Sequence, residues 1–287
     1  MKKLYVGRLE GGRVVPDHKP KKAVCLHQLL SHNNGFMASS PLYEVQENAM
    51  PLSAFENNKT AVRYCLENTC LTLEPYFETG YSGYFAYDLI ALLLERHSGL
   101  QYADFIAEYI FKPLGIRDIT YTPTSEQWQR AVTMFDKTVG RCGANVDMGN
   151  HTFEGFPLSY TCAGAGLMGS IEDYFVFAEM LRNGGTYNGV EIVKPDLFSK
   201  IYQKYVPMEY MPKGSRHTWG LGVRIAVNDL NLPDGCWGWS GAYGTHFWID
   251  PVNDITAVYM KNNRWHDSRG CGSTGGKFEA DVMASLR

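Results

Sequence analysis

The chain lacks several features that would assign it at once to a class of protein. Its seven cysteines include no C-x-x-C pair and are odd in number, so we expect neither a disulfide framework nor a structural zinc site. No apolar run reaches membrane-spanning length, and the start, MKKLYVGRLEGG, is too short in apolar residues for a signal peptide. A net charge of −3 without a basic stripe argues against a nucleic-acid partner. As given, the chain is expected to be cytoplasmic, with no membrane partner.

Metal and cofactor signals are equally sparse. No two of the eight histidines are four residues apart, so no helical zinc site is predicted, and His32, His97 and His246 are expected to be hydrogen-bonded structural residues. Gly164-Ala-Gly-Leu-Met-Gly169 fits the dinucleotide pattern, but no buried parallel strand precedes it and no βαβ alternation surrounds it. We interpret these glycines as sites of close chain packing and predict no metal and no cofactor.

What the sequence does contain is a clear change of periodicity along its length. Apolar spacing predicts helices over 24–30, 60–68, 84–96, 102–111, 170–182, 196–205 and 278–286, with Thr60 and Ser170 as N-caps and Gly99 as a C-cap. Strands are predicted over 219–227, 237–241, 246–250 and 255–260. Residues 1–22 indicate a hairpin or loop, and 36–58 an irregular segment. The chain is predicted to be a single domain over 1–287, mostly helical over 1–205, with antiparallel strands and a helix over 206–287.

Two short stretches raise the question of catalysis. Tyr81 and Ser82 stand together just before the predicted helix 84–96, where they are either catalytic or ordinary packing and capping residues. Gly238-Trp-Ser240-Gly-Ala242 differs from the nucleophile elbow G-x-S-x-G by the place of its second glycine, and it lies between strands. Ser240 is therefore not predicted to be an elbow nucleophile.

Five blocks of the sequence together resemble a known superfamily. They are LHQLLSHNNGF (26–36), the stretch from YSGYFAYDLI to KPLGIRD (81–118), CAGAGLMGSIEDYFVFAEMLRNGG (162–185), WGLGVRI (219–225) and GWSGAYGTHFWIDPVNDITAVYMKN (238–262). In this order they resemble the serine β-lactamase and penicillin-binding-protein superfamily, in particular class C β-lactamases and family VIII carboxylesterases. The resemblance implies an α/β fold of the α+β type, with an antiparallel sheet flanked by helices beside a mainly helical region.

The resemblance also implies roles for individual residues. The superfamily transfers acyl groups through a Ser-x-x-Lys nucleophile, a tyrosine motif and a third motif on a strand. Tyr81 falls on the second motif as a catalytic residue that shares the base role, with Gly83 where asparagine is often found. Trp239, Ser240 and Gly241 fall on the third motif, and Ala242 takes the position of a backbone oxyanion donor. Ser82 is expected to be a helix-start residue, with a nucleophilic role as the weaker alternative.

The first motif is absent from the 287 residues. No serine is followed by lysine three positions later, and Ser273 with Lys277 misses by one. The resemblance thus implies a β-lactamase-related serine hydrolase that is truncated at its N-terminus, missing strands and the nucleophile helix, and inactive as given. Without the motif's lysine, Tyr81 is expected to stay neutral, since an unperturbed tyrosine has a pKa of about 10. Apolar surface on strands 219–260 and helix 84–96 should then be exposed, which favours a homo-oligomer.

Three hypotheses follow for the function. The first is the truncated serine hydrolase, the second a non-catalytic penicillin-binding-like binding module or scaffold, and the third an active hydrolase with a relocated nucleophile, Ser82 or Ser240. Trp239 offers apolar contact where a lysine would attract a carboxylate. The expected partner is a small-molecule ester, amide or peptide substrate, and for a complete relative a neutral ester or amide is favoured over a β-lactam.

Overall fold

The computed structural model describes residues 4–133, 135–136, 157, 159–264 and 274–286. The helices are α1 (Leu26–Leu30), α2 (Pro41–Asn48), α3 (Asn58–Asn68), α4 (Phe85–Ser98), α5 (Tyr102–Ile106), α6 (Lys112–Leu114), α7 (Ser125–Arg130), α8 (Ile171–Arg182), α9 (Pro195–Phe198) and α10 (Thr274–Ser285), with 3-10 turns at Leu52–Phe55 and Met208–Tyr210 and a π-helical stretch at Ala107–Phe111. The strands are β1 (Val6–Glu10), β2 (Arg13–His18), β3 (Phe135–Asp136), β4 (Thr186–Tyr187), β5 (Val190–Glu191), β6 (His217–Trp219), β7 (Arg224–Ala226), β8 (Trp237–Ser240), β9 (His246–Asp250), β10 (Ile255–Tyr259) and β11 (Asn263–Arg264).

Five of these strands form an antiparallel sheet in the order β10-β9-β8-β7-β6. The β8–β9 hairpin pairs Trp239 with Phe247 and Ser240 with His246. Because successive side chains of a strand point to opposite faces, Trp239 and Ser240 point into different layers of the protein.

The two faces of the sheet are covered by different helices. One face packs against α8, in a buried core that includes Met180, Trp237 and Phe247. The other face packs against α10, where the Trp248 and Phe278 rings meet with centroids 5.4 Å apart. The sheet is thus sandwiched between helices, and β10 and β6 are its two outer strands among the strands that the structure describes.

The region before the sheet is built around α3 and α4. Their apolar faces form a second core with β1, which includes Val6, Ala61, Cys65 and Phe85. Asp88 of α4 is fully buried; its carboxylate accepts hydrogen bonds from the Tyr160 hydroxyl at 2.5 Å and from the Ala163 N–H at 2.9 Å. One buried carboxylate therefore ties the loop that precedes α8 to α4.

Most of the predicted elements are confirmed, but the strand predicted over 219–227 is wrong, because the chain turns at 220–223 and forms the two antiparallel strands β6 and β7. Strand 246–250 has the predicted bounds, residues 1–22 contain a β-hairpin, and Ser170 caps α8 by accepting from the Asp173 N–H at 3.2 Å. Gly99 ends α4 with a φ of 75°, a left-handed conformation in which glycine carries no Cβ penalty.

Other local predictions are wrong. The segment 36–58 contains α2, whose start Ser40 caps and Pro41 favours. The N-cap of α3 is Asn57, and Thr60 is its capping-box partner three residues later. The predicted helix 196–205 ends at Phe198, because the following backbone turns back to the sheet: the Tyr205 N–H donates to the Trp219 carbonyl at 2.9 Å.

Five of the seven cysteines lie among the described residues. Cys25, Cys65, Cys70, Cys162 and Cys236 are free thiols, while Cys142 and Cys271 lie outside the described residues.

A cleft of about 540 Å³ opens between α8, β10 and α10, with an apolar lining that includes Phe175, Val258, Phe278 and Val282. The predicted homo-oligomer has no support in the structure and stays a prediction. In the described part of the chain, no helix combines the length and the apolar character needed to cross a bilayer.

Candidate active site

Tyr81 lies in the loop that leads into α4, with its backbone fixed and its side chain open to solvent. Its carbonyl accepts hydrogen bonds from both the N–H and the hydroxyl of Ser39, each at 2.9 Å. The side chain is 46% exposed. A rigid backbone beneath an accessible phenol is the arrangement needed to present a hydroxyl to a ligand.

Ser82 has the opposite character. It is fully buried, its hydroxyl donates to the Phe36 carbonyl at 2.5 Å, and its N–H donates to His32 Nδ1 at 3.2 Å. A hydroxyl that is both shielded from solvent and bonded to a backbone carbonyl has no base to activate it. Ser82 lies two residues before Tyr84, the N-cap of α4, and its hydrogen bonds hold the loop in place.

Glycines allow this loop to pack closely. A Cβ at position 83 would lie 2.6 Å from Cε1 and 2.8 Å from the hydroxyl of Tyr81, so the tyrosine ring occupies the space of a side chain at Gly83. A Cβ at Gly164 would lie 1.6 Å from the Gly83 carbonyl oxygen, and one at Gly169 would lie 2.7 Å from Ile119 Cγ1. Close packing therefore accounts for Gly164 and Gly169 of the G-x-G-x-x-G stretch.

Five rings from distant parts of the chain meet beside this loop; we call them the aromatic cluster, His32, Tyr81, Tyr87, Trp219 and Trp239. His32 is at its centre, with ring centroids 4.9 Å from Tyr81, 5.6 Å from Tyr87, 4.7 Å from Trp219 and 5.5 Å from Trp239. Tyr81 and Trp239 themselves lie 5.8 Å apart. The structure thus brings together the tyrosine of the second motif and the tryptophan of the third.

The rings around Tyr81 and Trp239 carry no charge at neutral pH. Burial lowers the pKa of His32 to about 3, so its imidazole is neutral. Burial raises the pKa of the Tyr87 hydroxyl far above its ordinary value, so it too stays protonated. Because the rings around Tyr81 and Trp239 are neutral, they provide no counter-charge for a carboxylate at this place.

The remaining residues of the third motif lie where β8 ends. The Gly241 N–H donates to the Thr245 carbonyl at 2.8 Å, and the Gly244 N–H donates to the Gly241 carbonyl at 3.1 Å, so residues 241–245 form a tight turn. A Cβ at Gly241 would lie 2.3 Å from Thr245 Oγ1. Ala242 is held within this turn, whereas the Ser240 side chain points to the other face of the sheet.

Residues of this site were only partly predictable from the sequence. Tyr81 and Trp239 carry motif signals. His32 is a buried, hydrogen-bonded structural residue, as predicted, and its central place in the aromatic cluster has no signal in the sequence. Tyr87 and Trp219 carry only the signals of an apolar helix residue and a strand residue. Among the described residues, no group of three His, Cys, Asp or Glu side chains is arranged to hold a metal ion.

The chain is similar to several known proteins. The beta-lactamase family model matches residues 7–269. Protein Rv1367c of Mycobacterium tuberculosis H37Rv is 24% identical over 269 residues, which cover 85% of this chain and 63% of that protein. The D-alanyl-D-alanine-carboxypeptidase/endopeptidase AmpH of Escherichia coli K12 is 38% identical over 65 residues, 23% of this chain and 17% of AmpH. The chain therefore spans less than two thirds of the length of these relatives.

Solved structures agree on the fold. Simvastatin synthase (LovD) of Aspergillus terreus superposes with a TM-score of 0.75 at 19% identity, over 99% of this chain and 74% of LovD. A family VIII carboxylesterase superposes with a TM-score of 0.72 at 18% identity, over 93% of this chain and 72% of the esterase. The β-lactamase/transpeptidase-like fold of helices and antiparallel sheet, predicted from the sequence, is confirmed.

Proposed function

The chain belongs to the beta-lactamase family, and from this premise we propose that it takes part in acyl transfer on a small neutral ester or amide bound against Tyr81 and Trp239. The observation that carries the proposal is the meeting of Tyr81 and Trp239 beside the uncharged rings of His32 and Tyr87, where the two motifs join and offer apolar contact to an acyl group. The named relatives and neighbours include a carboxypeptidase and a carboxylesterase, both of which cleave acyl compounds.

The proposed roles follow from chemistry and position. Tyr81 presents an accessible hydroxyl and shares the base role, Trp239 packs against the acyl group, and the Ala242 N–H donates to the developing oxyanion. The Gly241 N–H is already bonded to Thr245, which makes Ala242 the better donor within the turn. Removing one oxyanion donor of this kind lowers kcat roughly 10²–10³-fold.

The proposal leaves the nucleophile outside these 287 residues, none of which forms a Ser-x-x-Lys motif. We propose that a segment carrying this motif must be joined to the chain before Tyr81 acts as a base, and that the chain alone is inactive by this route. Removing a nucleophile that works as a unit with its base removes most of the rate.

A version of the chain that carries a Ser-x-x-Lys segment tests these roles. We expect it to hydrolyse a short-chain aryl ester faster than a chromogenic cephalosporin, because Trp239 replaces a carboxylate-binding cation. Tyr81→Phe should lower kcat about 10²–10⁴-fold, the usual range for a general base. Tyr109→Phe, at an exposed tyrosine of the π-helical stretch, is the matched control. Faster cephalosporin hydrolysis, or equal kcat for the two variants, would contradict the proposal.

The alternative, a binding module without catalysis, predicts a different outcome of the same experiment. Such a protein would bind the ester without turning it over, even with the serine segment in place. Binding without hydrolysis would therefore favour the binding module over the hydrolase.

A further inference from the structure

The face of the sheet opposite the aromatic cluster holds a second polar arrangement, formed by Ser240, His246 and Glu279. Ser240 and His246 are direct partners on β8 and β9, and Ser240 Oγ lies 2.8 Å from His246 Nδ1. On the other side of the ring, His246 Nε2 lies 2.8 Å from Glu279 Oε1 of α10. A serine, a histidine and a carboxylate are thus joined in one hydrogen-bonded series.

The charge of Glu279 decides how protons are arranged in this series. Burial acts to raise the pKa of Glu279, but hydrogen bonds from His246 and from Asn231 Nδ2, with Arg224 at 3.9 Å, hold it below its ordinary value. An ionised carboxylate only accepts hydrogen bonds, so His246 Nε2 must carry a proton. With Nε2 carrying the proton, Nδ1 of an uncharged ring is an acceptor, and this arrangement requires the Ser240 hydroxyl to donate to it.

This is the hydrogen-bond order of an activated serine, with the two ring nitrogens exchanged relative to the serine protease triad. The three side chains also differ in their exposure to solvent. His246 and Glu279 are each only 7% exposed, whereas Ser240 is half-buried at the end of β8. Ser240 is thus the least shielded residue of the three, in contrast to Ser82, which is fully buried.

We propose that Ser240 is a nucleophile within this chain, distinct from the serine of a Ser-x-x-Lys motif, with His246 as its general base and Glu279 as the residue that orients the base. Its substrates would be small, activated, neutral carboxylic esters. This inference goes beyond the Tyr81 site and does not depend on it, since the two sites lie on opposite faces of the sheet.

The chemical step balances within these three residues and the ester. Ser240 Oγ attacks the carbonyl carbon while its proton passes to His246 Nδ1. The bond from the carbonyl carbon to the leaving oxygen then breaks, and the proton on Nδ1 moves to that oxygen, which leaves as an alcohol. Water repeats the sequence on the acyl-serine and releases the acid. The Trp239 carbonyl lies 3.2 Å from Nδ1 and accepts a hydrogen bond from the imidazolium formed in between.

The reaction is expected to be slow. The Gly241 N–H, the next donor after Ser240, is already bonded to the Thr245 carbonyl. Because one oxyanion donor is worth roughly 10²–10³ in rate, acylation should be easiest to detect with a reagent that reacts irreversibly.

A fluorophosphonate probe on the 287-residue chain tests the proposal. We expect one adduct by intact mass, located in the tryptic peptide 225–261, in which Ser240 is the only serine. Ser240→Ala should abolish labelling. Ser215→Ala, at a half-buried serine whose hydroxyl donates to the Pro212 carbonyl, should label like the unmodified chain. No labelling of the unmodified chain, or labelling that persists in Ser240→Ala, would overturn the proposal.

A second variant separates the base from a merely structural histidine. The amide of His246→Gln can still donate to Glu279 but cannot accept a proton from Ser240. We expect the labelling rate to fall about 10²-fold or more with little change in the thermal unfolding temperature. His217→Gln, at a histidine of β6 on the same sheet, is the control. A labelling rate that His246→Gln leaves unchanged would overturn the role of His246; if this variant does not fold, the peptide map and Ser240→Ala decide.

Discussion

Replacing Gly164 with alanine is expected to lower the free energy of unfolding by at least about 3 kcal/mol. The new Cβ would lie 1.6 Å from the Gly83 carbonyl oxygen and 2.8 Å from its carbon. Both are backbone atoms, so no side-chain rotation relieves the overlap, and the loop before α8 must separate from the loop that carries Tyr81. Urea unfolding of the variant measures the loss.

Gly115→Ala is the control for this prediction. Gly115 has a left-handed φ of 71°, but a Cβ there meets no atom within 4 Å. Its replacement therefore reports the conformational cost alone, about 1–2 kcal/mol. Equal losses for the two variants would show that Gly164 does not pack against Gly83 as described.

Asp88→Asn is expected to change the pH dependence of stability more than any other carboxyl substitution in the described part of the chain. Burial raises the pKa of Asp88 from 3.8 to about 7, against the opposing effect of hydrogen bonds from Tyr160 and Ala163. The folded state therefore holds one proton more than the unfolded state between about pH 4 and pH 7. Stability from this group is complete below pH 4 and is lost as the pH rises through 7.

The size of this change in stability follows from the width of the window between about pH 4 and pH 7. Each pH unit corresponds to 1.36 kcal/mol, so the carboxyl costs about 4 kcal/mol of stability by pH 7 relative to pH 4. Asparagine does not titrate, and the stability of Asp88→Asn minus that of the unmodified chain should rise by about this amount over the window. Urea unfolding at pH 4, 5.5 and 7 measures the difference.

Subtracting the stability of the unmodified chain from that of the variant removes the contributions of the other titrating groups. Burial lowers the pKa of His32 to about 3 and of His217 to about 4, so both make stability rise with pH, opposite to Asp88. They are present in both proteins and cancel. Asp118→Asn is a control of opposite sign, because Arg130 holds the pKa of Asp118 below its ordinary value. A stability difference for Asp88→Asn that does not vary with pH would contradict the prediction.

Local sequence signals predicted much of the fold. Strand-like residues next to a turn signal predicted strand 246–250, and the Ser170 cap and apolar spacing placed α8 close to its observed bounds. The prediction that segment 36–58 is irregular failed because α2 has only eight residues and is exposed on much of its surface. Its apolar periodicity is therefore weak. The helix predicted over 196–205 failed because backbone pairing with the sheet, at Tyr205 and Trp219, outweighs local propensity.

The candidate site was predictable only where one residue carries a motif. Tyr81 and Trp239 could be identified in this way, and the structure places their rings together. The role of His32 could not, because its neighbours come from the loop before α4, from α4 itself and from two strands of the sheet. Glu279 lies on α10, and only tertiary packing brings it to His246.

The central claim, that the site at Tyr81 and Trp239 accepts a neutral acyl compound, is tested most directly by calorimetric titration of the 287-residue chain with a matched pair of ligands. N-phenylacetyl-D-alanine methyl ester and its free carboxylate share one body and differ in charge. We predict that the ester binds about ten-fold more tightly, a difference of about 1.4 kcal/mol, and that Trp239→Lys reverses the order. Tighter binding of the carboxylate by the unmodified chain, or no binding of either ligand, would contradict the claim.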